Sequence, residues 1–269
     1  MTASSAARVS KATDPRAASI LALAAQATRF PDCLPLDPDT ASLDERDAAL
    51  AHRIYDVAMR RWHTLEFLLG RHLRQEFRAL EPRMRAVLLS GAAQIVFLDR
   101  VPTHAAIDES VEWAKRHIRP KAGGMVNAVL RKVASDLGDT TDEARDDRAA
   151  IPRSDGRFIE LREAILPDDD LTRLVVTTSV PRWVLDTWCA AHGVPRAWSL
   201  ALHAIIEPPI IVNTAHATAP VPDDWLAHES PGHHVATGVA PLATRRDLWA
   251  QDPSSSASVD LASSRRPAL

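Results

Sequence analysis

Residues Leu80 to Val133 read LEPRMRAVLLSGAAQIVFLDRVPTHAAIDESVEWAKRHIRPKAGGMVNAVLRKV, and the reading of this stretch decides the fold. Met84, Val87, Leu88, Gly91, Ile95 and Leu98 recur at helical spacing and form one apolar stripe. Pro82 suits a first helical turn, where its missing N–H costs nothing. Gly91 lies inside the stripe without a side chain, which predicts a second helix in close approach. Asp99, Arg100 and Pro102 end the first helix, because the residue before a proline is pushed out of the helical region. Thr103 reads as the N-cap of the next. That second helix shows Ile107, Val111, Ala114 and Ile118 on one face and stops at Pro120. The Gly123-Gly124 pair reads as a break. Met125, Val126, Val129, Leu130 and Val133 then start a third helix, whose other side carries Asn127, Arg131 and Lys132.

Upstream, Asp14-Pro15 opens a helix carrying Ile20, Leu21, Ala24 and Ala25. The prolines and aspartates of residues 30–43 predict a loop, and Ser42 or Asp44 is placed to cap a long helix. Leu50, Ile54, Val57, Trp62, Leu65 and Leu68 give that helix its core stripe. Arg46, Arg53, Arg60 and Arg61 lie off the stripe. Such a row is either a solvated helix face or a set of guanidinium groups that bind phosphate oxygens.

Downstream, residues 138–157 are charged and marked by glycine and proline, so they read as a linker and the domain boundary. A second block follows. Trp183, Val184, Leu185, Trp188 and Cys189 predict a short helix, Pro195 to Ile206 another, and Ile210 to Asn213 a strand of β-branched residues. The tryptophans from Trp183 to Trp249 read as packing of this block rather than as stacking surfaces for bases. Residues 1–13 and 262–269 read as disordered tails.

The chain has 269 residues, 46% hydrophobic and 25% charged, with a formal charge of −3. A polyanion must therefore be met by a local basic patch. Two cysteines, Cys33 and Cys189, exclude a disulfide framework or a cysteine-based zinc site. No apolar run is long enough to span a bilayer, and no signal-peptide core follows the N-terminus, so no membrane role and a cytoplasmic location are expected.

The run LLSGAAQIVFLDRVPTHAAIDESVEWAK…GGMVNAVLRK resembles the NusB-like RNA-binding domain. More closely, it resembles the version fused to the front of the RsmB (Sun/Fmu) family of 16S rRNA cytosine-5 methyltransferases. Several segments match that family in order: the Gly-Ala-x-Gln run, the Val-Pro turn, the Glu-x-Val-Glu-x-Ala-Lys helix and the Val-Asn-Ala-Val-Leu-Arg helix. The resemblance implies a mainly α protein. An all-α NusB-like helical bundle is expected over residues 14–137, then a small α+β block over 158–261 like the segment before the catalytic domain. PRAASILALAAQATRF resembles the first helix of NusB-like domains, which places Arg16 near an RNA surface; a solvated helix end is the other reading. The candidate RNA-binding set is Arg16, Arg53, Arg60, Arg61, Lys121, Asn127, Arg131 and Lys132, with Asn127 either contacting RNA or bracing the glycine turn. The family has an arginine before its Val-Asn pair, where this chain has Ile211. The run from Gln251 to Ser255 is similar to the family's Gln-Asp-x-x-Ser segment, which begins a helix.

The family's glycine-rich turn for S-adenosylmethionine and its two catalytic cysteines have no counterpart in these residues, and Cys33 and Cys189 match neither cysteine. The expectation is RNA binding, to ribosomal RNA and 16S rRNA in particular. Catalysis by this chain alone is not expected, nor is a cofactor, unless a separate catalytic methyltransferase chain supplies the S-adenosylmethionine site. A truncated or split methyltransferase, and an antitermination adaptor that also binds a ribosomal protein, are the alternatives. His228, His233 and His234 with Asp223 or Glu229 lack the fixed spacing of a metal site and read as structural or solvated.

Overall fold

The structure, a computed structural model, describes residues 14–144 and 146–264. Six helices come first: α1 (Pro15–Ala27), α2 (Glu45–Arg60), α3 (Trp62–Gly70), α4 (Pro82–Phe97), α5 (Thr103–His117) and α6 (Ala122–Asp136), with one 3₁₀ turn at Phe77–Ala79. Asp14 caps α1 by accepting from the Ala17 N–H, and Asp44 caps α2 through the Asp47 N–H. Pro102, not Thr103, precedes the first turn of α5, so Thr103 is already helical and no side chain caps that end. The Gly123-Gly124 pair does not break the chain either. Both glycines lie in the first turn of α6, where a Cβ on Gly123 would stand 2.8 Å from Lys115 Cγ of α5.

α4 is the centre of the bundle and packs against α1, α2, α3, α5 and α6. Every residue from Ala86 to Gln94 is buried. The sequence shows one apolar stripe there, but alanine, serine and glycine occupy the remaining faces, and small residues let neighbours close in from all sides. A Cβ on Gly91 would lie 2.5 Å from Leu130 Cδ1 and 2.9 Å from Ser110 Oγ. Gly91→Val should therefore overpack the junction of α4, α5 and α6 and cost about 2–3 kcal/mol. Gly124→Ala, where nothing lies within 4 Å, should stabilise by about 0.5–1 kcal/mol. Urea-unfolding midpoints check both, and equal shifts of one sign would contradict the packing described.

Residues 138–157 are not an open linker. β1 (Leu137–Thr141), β2 (Ala150–Pro152) and β3 (Phe158–Leu161) form an antiparallel sheet in the order β1-β3-β2. Ile151, Ile159 and Leu161 join the same core as α1–α6. Few apolar residues mark these strands, and Phe158, next to Ile159, stays half-buried on the other face. α7 (Asp170–Thr178), α8 (Arg182–His192) and α9 (Val194–Ala204) follow, packed around Leu174, Val180, Leu185 and Ala201.

The compact units divide after Ile206, not within 138–157. The second unit holds β4 (Ile210–Asn213), β5 (Leu226–Ala227), β6 (His233–Ala236), α10 (Ala240–Thr244), β7 (Trp249–Ala250) and α11 (Pro253–Ser264). Its sheet runs β5-β6-β4-β7 over a core of Val212, Trp225 and Leu248. α11 continues through Ser264, into the stretch read as a tail; residues 1–13 and 265–269 lie outside the described residues. No helix among the described residues is long and apolar enough to cross a membrane.

Candidate nucleic-acid interface

The eight candidate residues do not share one surface. Three of them, Asn127, Arg131 and Lys132, belong to α6, and Lys121 is its N-cap. Its buried positions, from Ala122 and Gly123 through Val126, Val129 and Leu130 to Val133, face the bundle. The helical repeat then turns Lys121, Gly124, Ala128, Arg131, Lys132 and Ser135 to solvent, and all six are exposed. Arg131 Nε donates to Asn127 Oδ1 at 2.9 Å, so Asn127 holds the guanidinium in place on this face. Among the described residues no hydrogen bond joins Asn127 to the Gly123-Gly124 turn.

No acid interrupts α6 before Asp136. The Asp136 carboxylate meets His72 Nε2 at 2.7 Å and Arg71 Nε at 4.0 Å. Among the described residues no carboxylate pairs with Lys121, Arg131 or Lys132. The helix thus presents three cations and small residues, a shape that lets a phosphate backbone come close.

α2 carries the second group. Arg46, Arg53 and Arg60 are exposed and recur every seven residues, about 10.5 Å apart along one side of the helix. Asp56 lies between Arg53 and Arg60. Partial desolvation lifts its carboxyl above the ordinary value, while His52, Arg60 and Arg53 draw it down. This stripe is of mixed charge, and α2 makes its main contacts with α1 and α4 rather than with α6.

Arg61 is a correction. The sequence places it beside Arg60 on the outer row, but its side chain is only 5% exposed. Nη1 donates to the Thr177 carbonyl at 3.0 Å, and the guanidinium lies over the Phe97 ring at 4.9 Å. The helix ends at Arg60 and restarts at Trp62, which turns residue 61 inward. Thr64 extends the same seam, donating from Oγ1 to the Val176 carbonyl at 2.6 Å. Arg61 joins α3 to α7 and does not face solvent.

Arg16 lies elsewhere again. Its Nε donates to the buried Gln94 Oε1 at 2.8 Å, and Gln94 Nε2 donates to the Ser90 carbonyl at 3.0 Å. This chain of bonds fixes the guanidinium at a cleft of about 250 Å³ shared with Asp14, Glu109, Glu112, Trp113 and Arg116. The carboxylates there make the cleft less favourable to phosphate than α6.

Cys33 sits exposed in the loop before α2, and burial and Asp32 push its thiol up, away from thiolate. In the second unit, His233 is buried between the Pro231 carbonyl and Ser256 Oγ, at 3.0 and 2.9 Å, while His234 Nδ1 meets Thr214 Oγ1 at 2.9 Å. The reading of the tryptophans as packing holds for Trp225, 6% exposed, and fails for Trp183 and Trp249, which are 71% and 46% exposed.

The model of the NusB family matches residues 15–135. Ribosomal RNA small subunit methyltransferase B of Pseudomonas putida is 36% identical over 122 residues, which are 44% of this chain and 27% of that protein. The protein of the same name from Pseudomonas syringae pv. tomato is 31% identical over 209 residues, 76% of this chain and 40% of its own length. That of Escherichia coli O1:K1 / APEC is 23% identical over 195 residues, 71% and 38% respectively. The chain thus spans less than half the length of these curated relatives. Among solved structures, the crystal structure of PH0851 matches 93% of this chain and 56% of its own, with a TM-score of 0.53 and 12% identity, a likeness of fold.

Proposed function

Residues 15–135 are a NusB domain in a chain homologous to the N-terminal part of ribosomal RNA small subunit methyltransferase B, and from that premise we propose that the protein binds RNA, with small-subunit ribosomal RNA as its target. The observation that carries this reading is the exposed face of α6, where Lys121, Arg131 and Lys132 stand without carboxylate partners among the described residues. Arg53 and Arg60 on α2 add a second, weaker contact, and Arg16 a third, each on its own helix. Binding begins with counterion release from phosphates, and the shape of a folded RNA then decides where these separated cations can be used together.

The test is the affinity for a 16S rRNA fragment measured between 50 and 300 mM salt. The logarithm of the association constant should fall linearly with the logarithm of the salt concentration. A flat response would remove the phosphate-led mechanism.

A further inference from the structure

We propose that the second unit carries a subsite for one unstacked nucleobase, with Trp249 as its platform. The inference rests on the RNA-binding reading and deepens it by naming which part of the RNA this unit takes. In the antiparallel pairing of β7 with β4, Trp249 stands opposite Asn213 and Ala250 opposite Val212. The Gln251 N–H donates to the Ile211 carbonyl at 3.0 Å and extends the ladder by one residue. Side chains alternate along a strand, so Trp249 and Gln251 leave one face of the sheet together, and Asn213 leaves it beside Trp249. Val212 and Leu248 occupy the opposite face and are buried with Trp225. The outward face, which a plain surface strand would fill with polar groups, holds an indole that is 46% exposed.

The space over this face measures about 500 Å³ and is lined also by His216 and by Ser256 and Val259 of α11, a size that admits a nucleotide. His216 meets Trp249 in a T-shaped contact, with ring centroids 6.0 Å apart and planes at 83°, so it is not stacked on the indole. No other ring stacks on Trp249 among the described residues. Asn213 Nδ2 donates to Gln251 Oε1 at 2.9 Å and to Ser256 Oγ at 3.3 Å, and Asn213 Oδ1 accepts the Ala215 N–H at 2.9 Å. The Gln251 amide is thereby held by its oxygen, and among the described residues nothing accepts from its Nε2. A fixed donor beside a half-exposed indole with no ring stacked on it among the described residues suits the ring and the acceptor edge of a base. The lining contains no lysine or arginine and includes Asp260, so the site suits a neutral base rather than a phosphate. Sequence-tolerant recognition of single strands combines these two parts: cations for the backbone and an aromatic face for the base.

The test follows the tryptophan indole N–H resonances of the full chain, with Trp249 assigned by Trp249→Phe, as adenosine monophosphate is added. Ribose 5-phosphate, which has the phosphate and no base, is the control. Adenosine monophosphate should move the Trp249 resonance saturably and ribose 5-phosphate should not. Trp249→Ala should weaken binding of a single-stranded hexanucleotide by about tenfold with its salt slope unchanged, and Gln251→Ala should weaken it less. A Trp249 resonance that stays put, or that moves equally with ribose 5-phosphate, overturns the proposal. Loss of salt dependence on rRNA, with the nucleotide shift intact, would instead remove the phosphate-led reading and leave this subsite standing.

Discussion

Replacing Lys121, Arg131 and Lys132 together by alanine is expected to lower rRNA affinity by about 100-fold at 0.1 M salt, with the fold intact. The three side chains are exposed and unpaired with any carboxylate among the described residues, so their removal breaks no ion pair. Each phosphate neutralised adds about 0.7 to the salt slope on a single strand. Three lost contacts should therefore flatten the slope by about two units, and two decades of salt-dependent affinity at 0.1 M go with them. Filter binding of the variant across a salt series measures both quantities, and circular dichroism confirms the helices. An unchanged slope would show that α6 does not meet phosphate. The same substitutions at Arg46, Arg53 and Arg60 should do less, because Asp56 already offsets part of that charge.

Arg61→Ala is expected to act on stability instead. The side chain is buried, donates to the Thr177 carbonyl and covers Phe97. Truncation leaves that carbonyl short of a donor and opens space beside an aromatic ring, at a cost of about 2–4 kcal/mol. Arg60→Ala, one residue away on the exposed side, should leave the unfolding midpoint where it is. Comparing the two variants in urea decides the matter. Equal midpoints would mean that Arg61 is as dispensable to the fold as its neighbour, and its place in the seam between α3 and α7 would have to be given up.

The contrast between these two arginines marks how far the residues alone can be read. A helix stripe identifies which positions are apolar, and Arg60 and Arg61 both lie off it. The one-residue interruption between α2 and α3 then rotates Arg61 by an amount that no local pattern records. The sheet of β1, β2 and β3 leaves little trace in the residues for a related reason. Its strands are short, and Ile151 and its partner Ile159 are separated by the polar, charged turn from Arg153 to Arg157. A strand gains its stability from a partner, so a segment with one inward isoleucine looks like a linker until that partner is found. Apolar composition makes Trp249 read as a packing residue, but the register of β7 against β4 determines which way it points.

The amino-acid sequence by itself determined the helices α1, α4, α5 and α6, one helical stretch where the structure has both α2 and α3, the helix start at Asp14, the close approach at Gly91, the strand β4 and the NusB resemblance. All but the resemblance, which rests on several segments matching a family in order, come from spacing within a few residues, where helix and strand periods leave a direct trace. Only the tertiary structure decided which cations share a surface, that residues 138–157 fold onto the bundle, where the units divide, and which tryptophans stay open to solvent. Those outcomes depend on what covers each face, and the covering element lies tens of residues away along the chain.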